Sequence, residues 1–213
     1  MPAQREDGDP DERPLRVGVA GYGLSGEVFH CPLIEATPGM EVAVVVTSNE
    51  ERSSKAAARY PGAEVVPDIA DAWNGIDLLV VASPNRSHAE LALGAVERDL
   101  PVVIDKPLAA TLDEAERVNR AGGRVTVFQN RRWDGDFMTL RSILDEGSLG
   151  QIVRFESRFE RFRQEIRDAW RESGDPLDGG GQLADLGAHL IVQAIVLFGP
   201  PNNVYAEVDT RRP

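Results

Sequence analysis

The sequence is poor in cysteine, lysine and long apolar runs. Cys31 is the single cysteine in 213 residues, so no intrachain disulfide can form and the cytoplasm is the expected location. No apolar run reaches the roughly 20 residues a membrane span requires, so no membrane partner is expected. Residues 1–14 are rich in Asp, Glu, Pro and Gly and lack an apolar core. That composition predicts a disordered acidic tail, not a signal peptide. Basic residues number 23 against 35 acidic ones, a net charge of −12. This argues against nucleic acid and anionic membranes as partners, and any anionic ligand must be held by local features. The hydrophobic fraction of 42% is that of a soluble globular chain.

Of the 23 basic residues only Lys55 and Lys106 are lysines. Arginine stays protonated at any working pH, whereas a buried lysine can titrate and pass a proton. A chain that has replaced nearly every lysine is expected to keep one where arginine cannot serve. Lys55 lies on a polar helix face, and Lys106 ends a strand candidate.

Between Leu15 and Phe128, short apolar runs alternate with helical patterns. Strands are expected at 15–20, 42–47, 77–82, 101–104 and 124–128, and helices near 26–37, 49–59, 86–98 and 111–121. This βαβ alternation predicts an α/β fold with a doubly wound parallel sheet. Thr111 and Glu114 have the spacing of a capping box. Beyond Asn130 the expected order is a helix at 134–146, a strand at 151–162, a polar loop at 163–181, a helix at 182–198 and a strand at 204–208. Two strands make an incomplete sheet, since an isolated pair is marginally stable. The rest is expected from a longer parent chain or a partner, unless the protein is naturally shortened. The expected domains are the tail at 1–14, a dinucleotide-binding domain at 15–130 and a partial α+β domain at 131–213.

The first strand runs into Gly21-Tyr22-Gly23-Leu24-Ser25-Gly26 and then a helix. Strand, G-x-G-x-x-G and helix in that order is the setting in which the motif binds a dinucleotide pyrophosphate; a glycine-rich turn with no ligand is the alternative. The second strand ends in Thr47-Ser48-Asn49, with Arg52 one turn into the next helix. An acidic residue there would hold the ribose 2′-hydroxyl of NAD. Hydroxyls and an arginine suit a 2′-phosphate better, so NADP(H) is favoured, with NAD(H) as the alternative. Ser48 or Asn49 also suits a helix N-cap, and both roles are compatible. The strand at 77–82 leads into Ser83-Pro84-Asn85 and His88, and the strand at 101–104 into Asp105-Lys106-Pro107. Ligands of open α/β sheets bind at such carboxyl ends. The plainer alternatives are a packed His88 and a surface Asp105–Lys106 ion pair.

Together with Asp185-Leu186-Gly187-Ala188-His189, these motifs resemble the Gfo/Idh/MocA oxidoreductases, over essentially the whole chain after the tail. The resemblance implies a Rossmann domain followed by a sheet domain that also builds homo-oligomers. It implies cofactor contacts from the glycine motif, from Ser83, Pro84, Asn85 and His88, from Asp105 and Lys106, and from Gln129. It also implies a catalytic set of Lys106, Asp185 and His189, with Asp105 where the family usually has glutamate. His189 would be the base, Lys106 would hold the reacting oxygen, and Asp185 would orient the pair. The spacing of four puts Asp185 and His189 on one helix face. A metal site is the other reading of that pair; it lacks a clear third ligand, so no metal is expected.

Phe29-His30 with Pro32-Leu33, Phe128-Gln129-Asn130-Arg131-Arg132-Trp133-Asp134, and Arg161-Phe162-Arg163 with Trp170-Arg171-Glu172 are similar to the NADP-dependent scyllo-inositol dehydrogenase-like branch. This implies substrate contacts from Asn130, Arg131, Trp133, Arg163, Trp170 and Arg171, and a sugar or cyclitol as substrate. Val192 departs from the second aspartate often found three residues after the motif histidine. The expected activity is NAD(P)-dependent hydride transfer at a carbinol carbon. The alternative is a non-catalytic dinucleotide-binding sensor, or an inactive fragment of such an enzyme.

Overall fold

The computed structural model describes residues 13–160 and 175–209. They fall into two units, residues 13–128 with 175–181, and residues 129–160 with 182–209. The first is built on six parallel strands: β1 (Leu15–Ala20), β2 (Met40–Val46), β3 (Glu64–Val66), β4 (Leu78–Val81), β5 (Val102–Asp105) and β6 (Val125–Phe128). Their order is β3-β2-β1-β4-β5-β6. The chain therefore winds outward in one direction from β1, then returns and winds outward in the other. That is the Rossmann arrangement, with its crevice where β1 and β4 diverge.

Each face of the sheet is covered because successive side chains point to opposite sides. Val17, Val19 and Val80 face α1 (Cys31–Glu35) and α2 (Glu50–Arg59), where Cys31, Ile34, Ala56 and Tyr60 complete the core. Leu79, Val81, Val102 and Ile104 face α3 (His88–Val96) and α4 (Leu112–Ala121). There α3 presents only small residues, Ala89, Ala92 and Ala95, and comes close to the sheet. Each large aliphatic side chain buried this way contributes about 1.5–3 kcal/mol. Burial also pushes the Cys31 thiol up to about 12. Thr111 caps α4 as its spacing predicts. Its hydroxyl oxygen accepts from the Glu114 N–H at 3.3 Å, and the Glu114 carboxylate accepts from the Thr111 N–H at 3.1 Å.

Four expectations need correction. β3 is an additional strand, only three residues long. The expected tail ends earlier, for Arg13 already grips Asp77 with two hydrogen bonds of 2.6 and 2.8 Å; residues 1–12 lie outside the described residues. The expected strands at 151–162 and 204–208 are not formed in their described parts, residues 151–160 and 204–208. A strand exists through its ladder, and no described segment supplies one there. The turn at 175–181 belongs to the first unit, although it lies in the stretch expected to form the second domain.

The second unit contains α5 (Gly135–Asp145) and α6 (Ala188–Phe198), the latter preceded by a π-helical turn, Leu183–Gly187. Gln193 Nε2 donates to the Arg131 carbonyl at 3.0 Å, and Phe155 packs on Phe198 with ring centres 5.2 Å apart.

Candidate functional site

The glycine motif forms the turn from β1 into a π-helical turn, Gly26–His30, that continues into α1. Gly21 has φ +108°, and a Cβ there would lie 2.5 Å from the Ala82 carbonyl oxygen. Its N–H donates to Val46 O at 2.9 Å. The turn is thus wedged between the ends of β2 and β4, and only glycine fits. A Cβ on Gly26 would collide with the Gly21 carbonyl, so the helix starts directly against the turn. Gly23 differs: the one atom a Cβ would approach is Arg52 Nη1, at 3.9 Å. The space above Gly23 is open and rimmed by a guanidinium. A pyrophosphate-bearing ligand fits such a place, where its oxygens meet bare backbone, with a cation at the rim.

The end of β2 delivers that arginine. Asn49 N-caps α2, its Oδ1 accepting from the Arg52 N–H at 3.0 Å, while Thr47 Oγ1 accepts from the Asn49 N–H at 3.4 Å. The cap reading of Asn49 therefore holds, and the cap sets the turn from which Arg52 projects. Glu51 is held by Lys55 at 2.9 Å. The Tyr22 side chain is a core group, 3% exposed and edge-on to Tyr60. Burial raises its phenol above the usual range, and only its backbone lines the turn. Leu24 is exposed.

The carboxyl ends of β4 and β5 are joined by His88. Its Nδ1 lies 2.7 Å from Pro107 O and its Nε2 2.9 Å from Ser83 O, and the residue is 1% exposed. With both ring nitrogens against main-chain carbonyls it fastens two loops together, as the packed alternative has it. Ser83 and Ser87 share a hydroxyl–hydroxyl hydrogen bond of 2.6 Å beside Pro84. Asn85 is buried, and its amide donates to the Asp178 carbonyl at 2.5 Å.

Asp105, at the end of β5, is partly buried. Its carboxylate accepts from the Ser25 hydroxyl and, at 2.8 Å, from the Lys106 N–H. Burial works to raise this carboxyl. The His30 ring, 3.9 Å away, the Ser25 hydroxyl and the Lys106 N–H outweigh burial and hold it below the ordinary range. His30 is 4% exposed and packs on Phe128 at 4.7 Å. Sequence reasoning placed His30 in the Phe29-His30 motif but gave it no role of its own. Lys106 precedes a cis bond to Pro107.

In the second unit, Asp185 lies in the π-helical turn and the buried His189 in the first turn of α6. Arg131 is fixed by Asp134 at 3.0 Å and lies over the Phe159 ring at 5.2 Å. Asn130 opens the 3-10 turn Asn130–Trp133, and Trp133 is exposed. Gln129 Oε1 is buried without a hydrogen-bond partner among the described residues, an acceptor suited to a donor from outside the chain. Arg163, Trp170 and Arg171 lie outside the described residues. Among the described residues no group of three or more His, Cys, Asp or Glu is placed to hold a metal, and no helix is long and apolar enough to cross a membrane.

Residues 15–126 match the family model described as an oxidoreductase family with NAD-binding Rossmann fold, and residues 137–213 match the GFO/IDH/MocA C-terminal domain. The chain is 45% identical over 205 residues to the uncharacterized oxidoreductase YdgJ of Escherichia coli, covering 93% of this chain and 58% of that protein. It is 37% identical over 204 residues to the NADP(+) scyllo-inositol 2-dehydrogenase IolW of Bacillus subtilis, covering 93% and 56%. Among solved structures, yvaA from Bacillus subtilis superposes with a TM-score of 0.81 at 35% identity, over 93% of this chain and 55% of that one. An NAD-binding protein from Listeria innocua superposes with a TM-score of 0.73 at 31% identity, over 87% and 55%. The chain thus spans somewhat more than half the length of these relatives. With the glycine turn, the β4 and β5 loops and both domain matches in agreement, this chain belongs to the GFO/IDH/MocA oxidoreductase family.

Proposed function

We propose that this chain carries the cofactor site and the catalytic side chains of an oxidoreductase that prefers NADP(H) and acts on a carbinol or keto carbon of a sugar or cyclitol. The observation that carries the cofactor preference is Arg52 at the rim of the open space over Gly23. No carboxylate stands at the end of β2: Thr47, Ser48 and Asn49 fill that position, and Glu51 is occupied by Lys55. A ribose 2′-phosphate meets hydroxyls and a guanidinium there, a charge-assisted arrangement that a plain 2′-hydroxyl uses poorly. The name of IolW as an NADP(+) enzyme supports the same preference and a cyclitol-like substrate.

When bound, the nicotinamide supplies the hydride chemistry. The chain's own part is proton handling and positioning. In alcohol oxidation His189 would take the hydroxyl proton while Lys106 hydrogen-bonds the same oxygen and stabilises its developing charge. Asp185, four residues before His189, would orient the base. Asn130, Arg131, Trp133, Arg163, Trp170 and Arg171 would meet the remaining hydroxyls, and Gln129 and Lys106 the cofactor. The second unit would associate with further copies.

The test is a fluorescence titration with NADPH and NADH, followed by a panel of inososes and keto-sugars monitored at the reduced-cofactor absorbance. Tighter binding of NADPH, with consumption on one substrate, supports the reading and names the substrate class. Binding without turnover on any member would favour a sensor role. No binding at all would overturn the reading.

A further inference from the structure

The turn Pro176–Asp178 and the glycines after it are fastened to the loop at the carboxyl end of β4. Asn85 Nδ2 donates to the Asp178 carbonyl at 2.5 Å across 93 residues of sequence. The Arg86 guanidinium pairs with the Asp178 carboxylate and reaches that of Asp175 at 3.5 Å. Gly179 has φ +61° and passes so close that a Cβ would lie 2.6 Å from Asn85 Nδ2. Within the turn, Leu177 N–H donates to Asp175 Oδ1 at 2.9 Å, and Asp178 N–H donates to the Asp175 carbonyl at 3.0 Å.

These contacts differ from an ordinary surface ion pair. An exposed pair gives little because two long side chains must be held in one geometry. Here Asn85, 8% exposed, already fixes the Asp178 backbone, so Arg86 meets a carboxylate set in place. The place matters too. A Cβ on Gly21 would lie 2.7 Å from Ser83 N, so the loop that bears Asn85 touches the glycine turn. The fastened segment begins two residues beyond that contact, at the rim of the crevice where open α/β sheets take their ligand.

We infer that Asn85 and Arg86 are positioning residues that hold 175–181 as a strap beside the dinucleotide crevice, and that the strap slows release of the bound cofactor. This rests on the dinucleotide reading above. Asn85 then acts on the cofactor through the strap it anchors. Because Arg86 is half exposed and Asp178 about one-fifth, salt weakens the fastening without abolishing it.

The test is the NADPH dissociation rate, measured by stopped-flow displacement on the whole chain at low and high salt. Arg86→Gln is expected to release NADPH about two- to fivefold faster at low salt. High salt should bring the wild type closer to the variant's rate, speeding release from the wild type more than from the variant. Arg86→Lys should restore part of the slow rate, and Asp178→Asn, which spares the β4 loop, should behave like Arg86→Gln. A merely structural role would lower the urea midpoint and leave the salt dependence intact, and that outcome overturns the inference. Wild-type release rates in both Arg86→Gln and Asp178→Asn overturn it as well. A wild-type chain that gives no NADPH signal overturns the dinucleotide reading first, and is told apart by the missing signal.

Discussion

The Ser25 hydroxyl donates to the Asp105 carboxylate, joining the glycine turn to the strand end that carries Lys106. The same carboxylate accepts the Lys106 N–H at 2.8 Å. One partly buried group thereby sets the spacing between the proposed pyrophosphate cradle and the proposed catalytic lysine. Ser25→Ala removes a donor from a mostly buried charge, a loss of about 1.5–3 kcal/mol. Urea unfolding of the variant should show that drop. An unchanged midpoint would mean that the bond contributes nothing in solution.

Arg52→Gln keeps the Asn49 cap, because the cap uses the Arg52 backbone N–H and not its side chain. Helix α2 should therefore form normally. The variant is expected to bind NADPH about ten- to a hundredfold more weakly, the range for a lost charge-assisted contact. NADH affinity should stay within about twofold of wild type, since no 2′-phosphate is present to lose a partner. Parallel titrations with both nucleotides measure the ratio. An equal loss for the two would place Arg52 on the shared pyrophosphate instead.

What the sequence made legible was whatever local spacing encodes. The glycine turn was readable because the positive φ of Gly21 and the close approaches at Gly21 and Gly26 demand glycine there. Arg52 was readable because one helical turn beyond a strand end is a fixed distance. β3 was not, because three residues between Pro61 and Pro67 carry no period. The alternation at 151–160 looked like a strand, yet alternation specifies only faces, and a ladder needs a neighbour. The direction of Tyr22 was equally hidden: the motif fixes its backbone, while the Tyr60 contact decides its side chain. The bond from Asn85 to Asp178 spans 93 residues and has no local signature.

The Arg13–Asp77 pair gives the first unit a defined acid sensitivity. The Arg13 side chain, followed by the Arg16 N–H, holds the Asp77 carboxyl down to about 2, against an ordinary 3.8. A depressed carboxylate stabilises the fold fully above its unfolded value and loses that contribution as pH falls through the folded one. The wild type should therefore lose part of its stability between about pH 4 and pH 2, read as a falling urea midpoint. Asp77→Asn should be less stable at neutral pH and lack this component. An identical acid slope in both proteins would show that Asp77 is not its source.

Lys106→Met separates binding from chemistry. Lys106 follows Asp105, whose bonds to Ser25 and to the Lys106 N–H use atoms that the substitution leaves in place. The loop should keep its position, and NADPH affinity should stay close to wild type. Methionine matches the lysine stem in length and flexibility but offers no donor to a developing alkoxide and no proton. On a substrate found by the inosose and keto-sugar panel, kcat is expected to fall about a hundred- to ten-thousandfold. His189→Gln should give a loss of similar order, and the double variant should lose little more than either alone, because residues acting as a unit do not add. Wild-type turnover in Lys106→Met would remove the lysine from the reaction and leave this nearly lysine-free chain's choice of Lys106 without a chemical reason.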